Sequence, residues 1–195
     1  TVRQAIQELV NEGAVEKRHG SGTFVAEPQL SVEINGFFSF YEEAAKRAGH
    51  SSTAIRRVEL EDSPSDKVRR RLRLAPGEAS VIVERVRSID GDPVMLECTH
   101  LPASLFGGLT VADVEGRSIY DVFRDRGIRH VEGKERFRPY NPDLEIRKTL
   151  ALDADVPVLR FSRLLQDDAG RYIEYTISYL KPGKLELTLP IDKAL

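Results

Sequence analysis

Apolar and polar positions alternate along this chain with two different periods, and the switches between them mark its elements. In residues 1–12, Val2, Ala5, Ile6 and Leu9 recur at helical spacing while Arg3, Gln4, Gln7 and Asn11 fall on the other side. This pattern predicts an amphipathic helix that stops at Gly13. Two short strands, 14–19 and 23–26, flank a Gly20-Ser21-Gly22 tip. Residues 27–36 have a Pro near their start and no helical period, and read as a linker. A helix is predicted over 40–48, with Ser39 and Glu42 in capping-box spacing, and a strand over 53–59. Ser63-Pro64-Ser65-Asp66 opens a basic helix through Leu74. Strands at 80–89 and 94–101 surround Asp90-Gly91, a strong hairpin signal. Further on come a helix at 118–126 ending at Gly127, a strand at 131–138, and a helix capped by Asn141-Pro142-Asp143 that ends near Leu150. Strands at 158–166, 172–179 and 185–189 complete the pattern.

A weak internal repeat runs through this order. Residues 65–101 and 142–180 share one grammar: helix, Leu-x-Leu, turn, strand, acidic turn, strand. Leu72 and Leu74 match Leu150 and Leu152; Val81, Val83 and Arg85 match Leu159, Phe161 and Arg163; Glu97 falls near Glu174 after one gap. The offset is far too long for a solenoid, so the expectation is a duplicated half-sheet closing around a shared core. Strands joined by hairpins with helices between them give an α+β fold on an antiparallel sheet.

Composition narrows the class. In a chain of 195 residues, 41% hydrophobic and 31% charged content describe an ordinary globular protein. A formal net charge of −2 argues against a general polyanion binder and leaves a locally basic face open. The single cysteine, Cys98, forbids an internal disulfide and fits a reducing cytosol, so a cytoplasmic location is expected. No apolar run reaches the ~18 residues of a membrane span, and no membrane partner is expected. The histidines His19, His50, His100 and His130 are scattered without metal-ligand spacing. No metal, no cofactor and no catalytic residue is expected, since neither a nucleophile elbow nor a phosphate-binding Gly-rich loop is present.

The first 26 residues carry the clearest functional signal. A short polar-faced helix followed by a Gly-tipped basic hairpin has the form of a recognition helix and wing. Major-groove readout needs donors and acceptors on a helix face, which Arg3, Gln4 and Gln7 supply, with Thr1 placed for phosphate. Lys17, Arg18 and His19, beside Gly20, Ser21 and Gly22, suit phosphate or minor-groove contact. Local charge by itself favours a plain solvated helix and hairpin: Arg3, Lys17 and Arg18 oppose Glu8, Glu12, Glu16 and Glu27. The strings TVRQAIQELVNEG and RHGSGTFVA, however, resemble the winged helix-turn-helix of GntR-family bacterial transcription regulators. That resemblance implies double-stranded operator DNA as a partner and a homodimer reading a palindrome. Because the chain opens inside that domain, it is expected to be part of a longer protein, and this portion is expected to bind DNA weakly by itself.

The remainder resembles the UTRA effector-binding domain of the HutC branch of the same family. The likeness is carried by Arg85-Val86-Arg87, by GDPVMLECTHLP, by Ser118-Ile119-Tyr120 and by Glu174. The expected division is therefore a partial DNA-binding domain over 1–26, a linker over 27–36 and a UTRA domain with a chorismate-lyase-like fold over 37–195. From the residues alone, Arg85 and Arg87 share a strand face with Val81 and Val83 and need a counter-anion. Two sources are open: an internal carboxylate such as Glu84 or Glu97, which spacing by itself favours, or a ligand phosphate matched to the guanidinium fork. Ser39 and Ser118 open helices, where backbone N–H groups favour negative charge.

The resemblance implies the ligand. By it, Ser39, Arg85, Arg87, Ser118 and Tyr120 cradle the phosphate of a small anionic metabolite, a phosphorylated sugar or amino sugar, Glu97 and Glu174 hold its hydroxyls, and Phe38 is a further effector-binding residue. A carboxylate such as urocanate is the alternative regulator ligand, and an enzyme on the lyase-like fold is the alternative function. Relatives commonly carry a Tyr where this chain has Leu180. Hairpin register tests the site. A two-residue Asp90-Gly91 loop places Arg85 opposite Leu96 and turns Glu97 away. A three-residue loop or a nearby bulge would place Arg85 opposite Glu97, and a common pocket requires that shifted register.

Overall fold

A computed structural model describes residues 1–11, 14–18, 20–25, 30–33, 51–183 and 185–188. The opening helix α1 (Val2–Asn11) is followed by the hairpin β1 (Val15–Arg18) and β2 (Gly22–Val25), paired antiparallel. Part of the expected linker is a strand. Leu30 and Val32 alternate with Ser31 and Glu33, and β3 (Leu30–Glu33) pairs in parallel with β10 (Leu185–Thr188). The predicted helix 40–48, with Phe38 and Ser39 before it, lies outside the described residues, as does His19.

An antiparallel six-stranded sheet forms the rest, ordered β4-β5-β6-β9-β8-β7. Its strands are β4 (Ser51–Glu61), β5 (Ser80–Ile89), β6 (Asp92–Pro102), β7 (Val131–Tyr140), β8 (Val158–Asp167) and β9 (Tyr172–Leu180). The helices are α2 (Asp66–Leu72), α3 (Ala103–Phe106), α4 (Val111–Val114), α5 (Ile119–Asp125) and α6 (Leu144–Thr149). Sequence reading missed α3 and α4, which are four residues each, too short to show a period. The caps explain the other boundaries. Ser65 Oγ accepts from Val68 N at the start of α2, and Asp143 Oδ1 accepts from Ile146 N at the start of α6. Ser118 and Asp121 close a full capping box on α5.

The internal repeat is a structural fact. The units β4-α2-β5-β6 and β7-α6-β8-β9 are one arrangement used twice, and their last strands, β6 and β9, pair at the centre of the sheet. Each helix crosses to the other unit. Val68 and Leu72 of α2 pack on Tyr175 of β9, and Ile146 of α6 and its C-cap Leu150 pack on Leu96 of β6. The opposite face carries α3, α4 and α5, whose Phe106, Val114, Ile119 and Phe123 bury against Val81, Val83, Leu101 and Leu165.

The register of the β5–β6 hairpin resolves the question posed by the sequence. The loop holds two residues, with Ile89 paired to Asp92 and both Asp90 (φ 51°) and Gly91 (φ 81°) in the left-handed region, as a type I′ turn requires. Ser88 then pairs with Pro93 but Arg87 with Met95, so Val94 is the extra residue of a bulge. Below the bulge Arg85 faces Glu97, the shifted register.

Gly133 of β7 marks a close backbone approach. A Cβ there would lie 2.0 Å from the Leu164 carbonyl oxygen of β8. Gly133→Ala is expected to cost about 1–3 kcal/mol, the scale of an overpacked site. Faster amide exchange along β7 than along β9 is the expected accompaniment. Uniform protection across both strands would count against it.

Candidate functional site

Strand pairing brings the site together one row at a time. In one row Arg85, Glu97 and Ser178 are successive cross-strand partners; in the next, Val83, Thr99, Thr176, Arg163 and Glu135 are. All of these side chains therefore project from the sheet face that carries α5. The repeat places Arg163 where Arg85 stands in the other half. The position equivalent to Glu97 is Thr176, across the strand pair from Arg163, and Glu174 lies two residues before it in β9.

The charges are almost wholly buried. Arg85 is 1% exposed and Glu174 fully buried. Arg85 donates from Nε to Glu97 Oε1 at 3.0 Å, also reaches it through Nη2, and donates from Nη1 to the Arg117 carbonyl at 3.3 Å. The last bond ties β5 to the residue just before the α5 cap. Arg87 holds the same Glu97 oxygen and Thr53 Oγ1 more loosely, at 3.4 and 3.5 Å. Arg163 donates to Glu174 Oε1 at 2.7 and 2.8 Å, with Glu135 at 3.5 Å. Thr176 Oγ1 donates to that same Glu174 oxygen and is 2.9 Å from Thr99 Oγ1.

Electrostatics follow from this geometry. Burial pulls the Glu97 carboxyl upward, but Arg85, Arg87 and Arg163 together overcome it and hold the group well below the usual carboxylate range. Burial likewise works against the charge on Arg163, which Glu174, Tyr120, Glu97 and Glu135 nevertheless keep protonated. Burial pushes Glu135 upward, and it pushes the Tyr120 phenol upward too, so Tyr120 stays neutral.

Internal pairing of the arginines, the choice that spacing favoured, is present, and its carboxylate is Glu97. Ser118 serves as a helix cap, its Oγ accepting from Tyr120 N at 3.0 Å, and Asp121 already places a carboxylate at the same helix start. The N–H groups of Ser118 and Tyr120 are thus already occupied from within the helix start. Two buried polar atoms are left over: Tyr120 Oη and Glu174 Oε2 have no hydrogen-bond partner among the described residues. Tyr120 lies over Arg163, with the guanidinium 5.5 Å from its ring centroid. Buried groups of this kind are normally satisfied, so two in one cluster need an account. Leu180 is buried and pairs with Met95 and Leu159, so the departure at this position adds apolar surface to the end of β9.

The structure therefore joins Arg85, Arg87, Glu97, Ser118, Tyr120 and Glu174 of the expected set, while Phe38 and Ser39 lie outside the described residues. Arg163, Glu135, Thr99, Thr176 and Ser178 were missed. The repeat had already matched Arg163 to Arg85, and that signal would have found it. Among the described residues no cluster has the makings of a metal site, and no helix is long and apolar enough to cross a membrane.

In the N-terminal unit, Thr1, Arg3, Gln4, Gln7 and Lys17 are exposed, as are Gly20, Ser21 and Gly22 at the tip. Lys17 Nζ donates to Gln7 Oε1 at 2.8 Å, and Gln7 Nε2 donates to Asn11 Oδ1 at 3.1 Å. Helix and wing are thereby linked through one of the expected base readers. Arg18 is placed by its backbone pairing with Gly22.

Comparison with known proteins adds to this geometry. The UTRA domain family matches residues 47–186. The HTH-type transcriptional repressor PhnF of Mycolicibacterium smegmatis is 33% identical over 189 residues, covering 96% of this chain and 76% of that protein. The HTH-type transcriptional repressor NagR of Bacillus subtilis is 30% identical over 196 residues, covering 99% and 79%. The crystal structure of PhnF from Mycobacterium smegmatis superposes with a TM-score of 0.79 at 28% identity, covering 99% of this chain and 84% of that one.

Proposed function

The chain belongs to the UTRA-domain family of GntR-type transcriptional regulators, and on that premise we propose that it is a cytoplasmic, dimeric DNA-binding repressor released or engaged by a small anionic metabolite. The favoured effector is a phosphorylated sugar or amino sugar of the kind sensed in the HutC branch. The carrying observation is the pair of unsatisfied buried atoms, Tyr120 Oη and Glu174 Oε2, beside the Arg85–Arg87–Glu97 group. A carboxylate oxygen requires a donor, which a sugar hydroxyl or amine supplies. The guanidinium forks of Arg85 and Arg87 match the oxygens of a phosphate. An imidazole N–H could also serve Glu174, so urocanate is the second reading.

A continuous backbone path supports the coupling. Strand β9 carries Glu174, Thr176 and Ser178, turns at Pro182-Gly183 and continues as β10, which pairs with β3 just beyond the wing. Shifting β9 on effector binding would shift the segment that follows the wing. In a two-fold dimer that changes the separation of the two recognition helices.

A thermal-shift panel of sugar phosphates, amino-sugar phosphates and carboxylates tests the reading, with Tyr120→Phe as the informative variant. The unliganded variant should be as stable as the parent or more so, because an unpaired buried hydroxyl is removed. Effector affinity should fall about tenfold, or about 1.4 kcal/mol. Unchanged affinity would remove Tyr120 from the site. Turnover of a phosphorylated sugar by the protein would replace sensing with catalysis, and a strictly monomeric species in sedimentation would refute the dimer.

A further inference from the structure

The sheet face opposite this site carries a second concentration of charge. There α2 packs on Tyr175, Leu164, Tyr172 and Ile177, while α6 packs at the other end on Leu96, Val158, Tyr140 and Tyr179. Between the two helices β7 and β8 floor a cleft. One part, about 170 Å³, is lined by Lys67, Arg71, Arg136, Arg138 and Arg160, with Ser162 and Tyr175. It opens into a hollow of about 480 Å³ that adds Tyr172, Leu164, Lys134 and Glu132.

Five cations and no acid line the smaller part. None of the five is ion-paired with a carboxylate among the described residues. Three of them rest on aromatic faces instead: Lys67 and Arg71 are 5.9 and 6.0 Å from the Tyr175 ring, and Arg160 is 5.4 Å from that of Tyr140. Arg160 Nε is buried with no hydrogen-bond partner. Arg138 and Arg160 are direct cross-strand partners, an arrangement that like charges disfavour. Among the described residues the two helices are held down by apolar contacts, through Ile146 and Val68, and not by these charges.

We propose that this cleft is a second ligand site, for a small organic phosphate. The phosphate sits among Arg136, Arg138 and Arg160, and the organic part lies against Tyr172 and Leu164 in the larger hollow. Guanidinium forks match phosphate oxygens, and convergence of several cations favours a dianion over a single carboxylate. The concavity favours a small ligand over a nucleic-acid backbone, because the half-buried Arg160 lines the cleft from the sheet. The site is independent of the effector pocket, from which the sheet separates it.

Titration calorimetry with inorganic pyrophosphate tests the proposal, carried out on the Arg87→Ala protein to weaken the effector pocket. One equivalent should bind, and adding Arg136→Ala with Arg160→Ala should weaken it at least tenfold while the melting temperature stays level or rises. Arg70→Ala, which removes a charge from the exposed side of α2, should leave binding unchanged. No binding in the Arg87→Ala background, or equal losses from Arg70→Ala and the cleft variants, overturns the site. So does displacement of pyrophosphate by a random-sequence duplex at equal phosphate concentration, which would make the face a DNA contact.

Discussion

Glu97→Ala is expected to remove about 3–5 kcal/mol of stability, the scale for breaking a buried ion pair by deleting one partner. The parent's Arg85 is 1% exposed and gives two of its nitrogens to Glu97, and Arg87 leans on the same oxygen. Without that carboxylate, two guanidiniums remain buried beside Arg163. For a chain of this length each kcal/mol lowers the melting temperature by about 2–4 °C, so a fall on the order of 6–20 °C is expected. The sign of the pH dependence is fixed by the direction of the Glu97 shift. Its folded-state pKa lies below the ordinary value of 4.5, so its contribution is fully present above that pH and is lost as pH falls through the folded value. The stability gap between parent and variant should therefore be constant from neutral pH to about 5 and close under stronger acid. A gap that persists undiminished at pH 2 would mean that Glu97 is not what holds the arginines.

Much of this architecture was legible along the chain because its signals are local. Ser65, Ser118 and Asp143 announce their helices by capping, and Asp90-Gly91 announces its hairpin by the backbone angles it tolerates. The repeat was visible because both halves bury equivalent strand positions. What escaped was non-local. Which residue becomes the bulge depends on the face each strand must bury, and Val94 takes that position because the register without it would turn Glu97 away from Arg85. Glu135 joins the site only because β7 lies beside β8, a pairing that no turn between them declares. The basic cleft was illegible for the same reason: Lys67, Arg71, Arg136 and Arg160 come from three elements and read singly as ordinary surface charge. The anion assigned to the α5 start had a competing explanation in the sequence, the Ser118–Asp121 capping box, and the structure uses it.

Arg163 and Glu174 separate a structural ion pair from a ligand contact. Arg163→Met should cost about 3–5 kcal/mol, because it strands a fully buried carboxylate whose second oxygen already lacks a partner. Glu174→Leu should cost less, since Glu135 remains 3.5 Å from Arg163 and Thr176 keeps its bond to Thr99. The double variant carries neither charge and fills similar volume with apolar side chains. Replacing a whole buried pair in this way is often neutral or stabilising by about 1–4 kcal/mol, so the double variant should be more stable than the Arg163→Met single by several kcal/mol. Chemical denaturation of the four proteins gives the coupling energy directly. If the pair served folding alone, the double variant would keep its effector-induced rise in melting temperature. If Glu174 Oε2 is there to receive a ligand hydroxyl or amine, the double variant should fold as well as the parent and show no such rise. A full effector response in the double variant would move the ligand away from β9 and back toward Arg85 and Arg87.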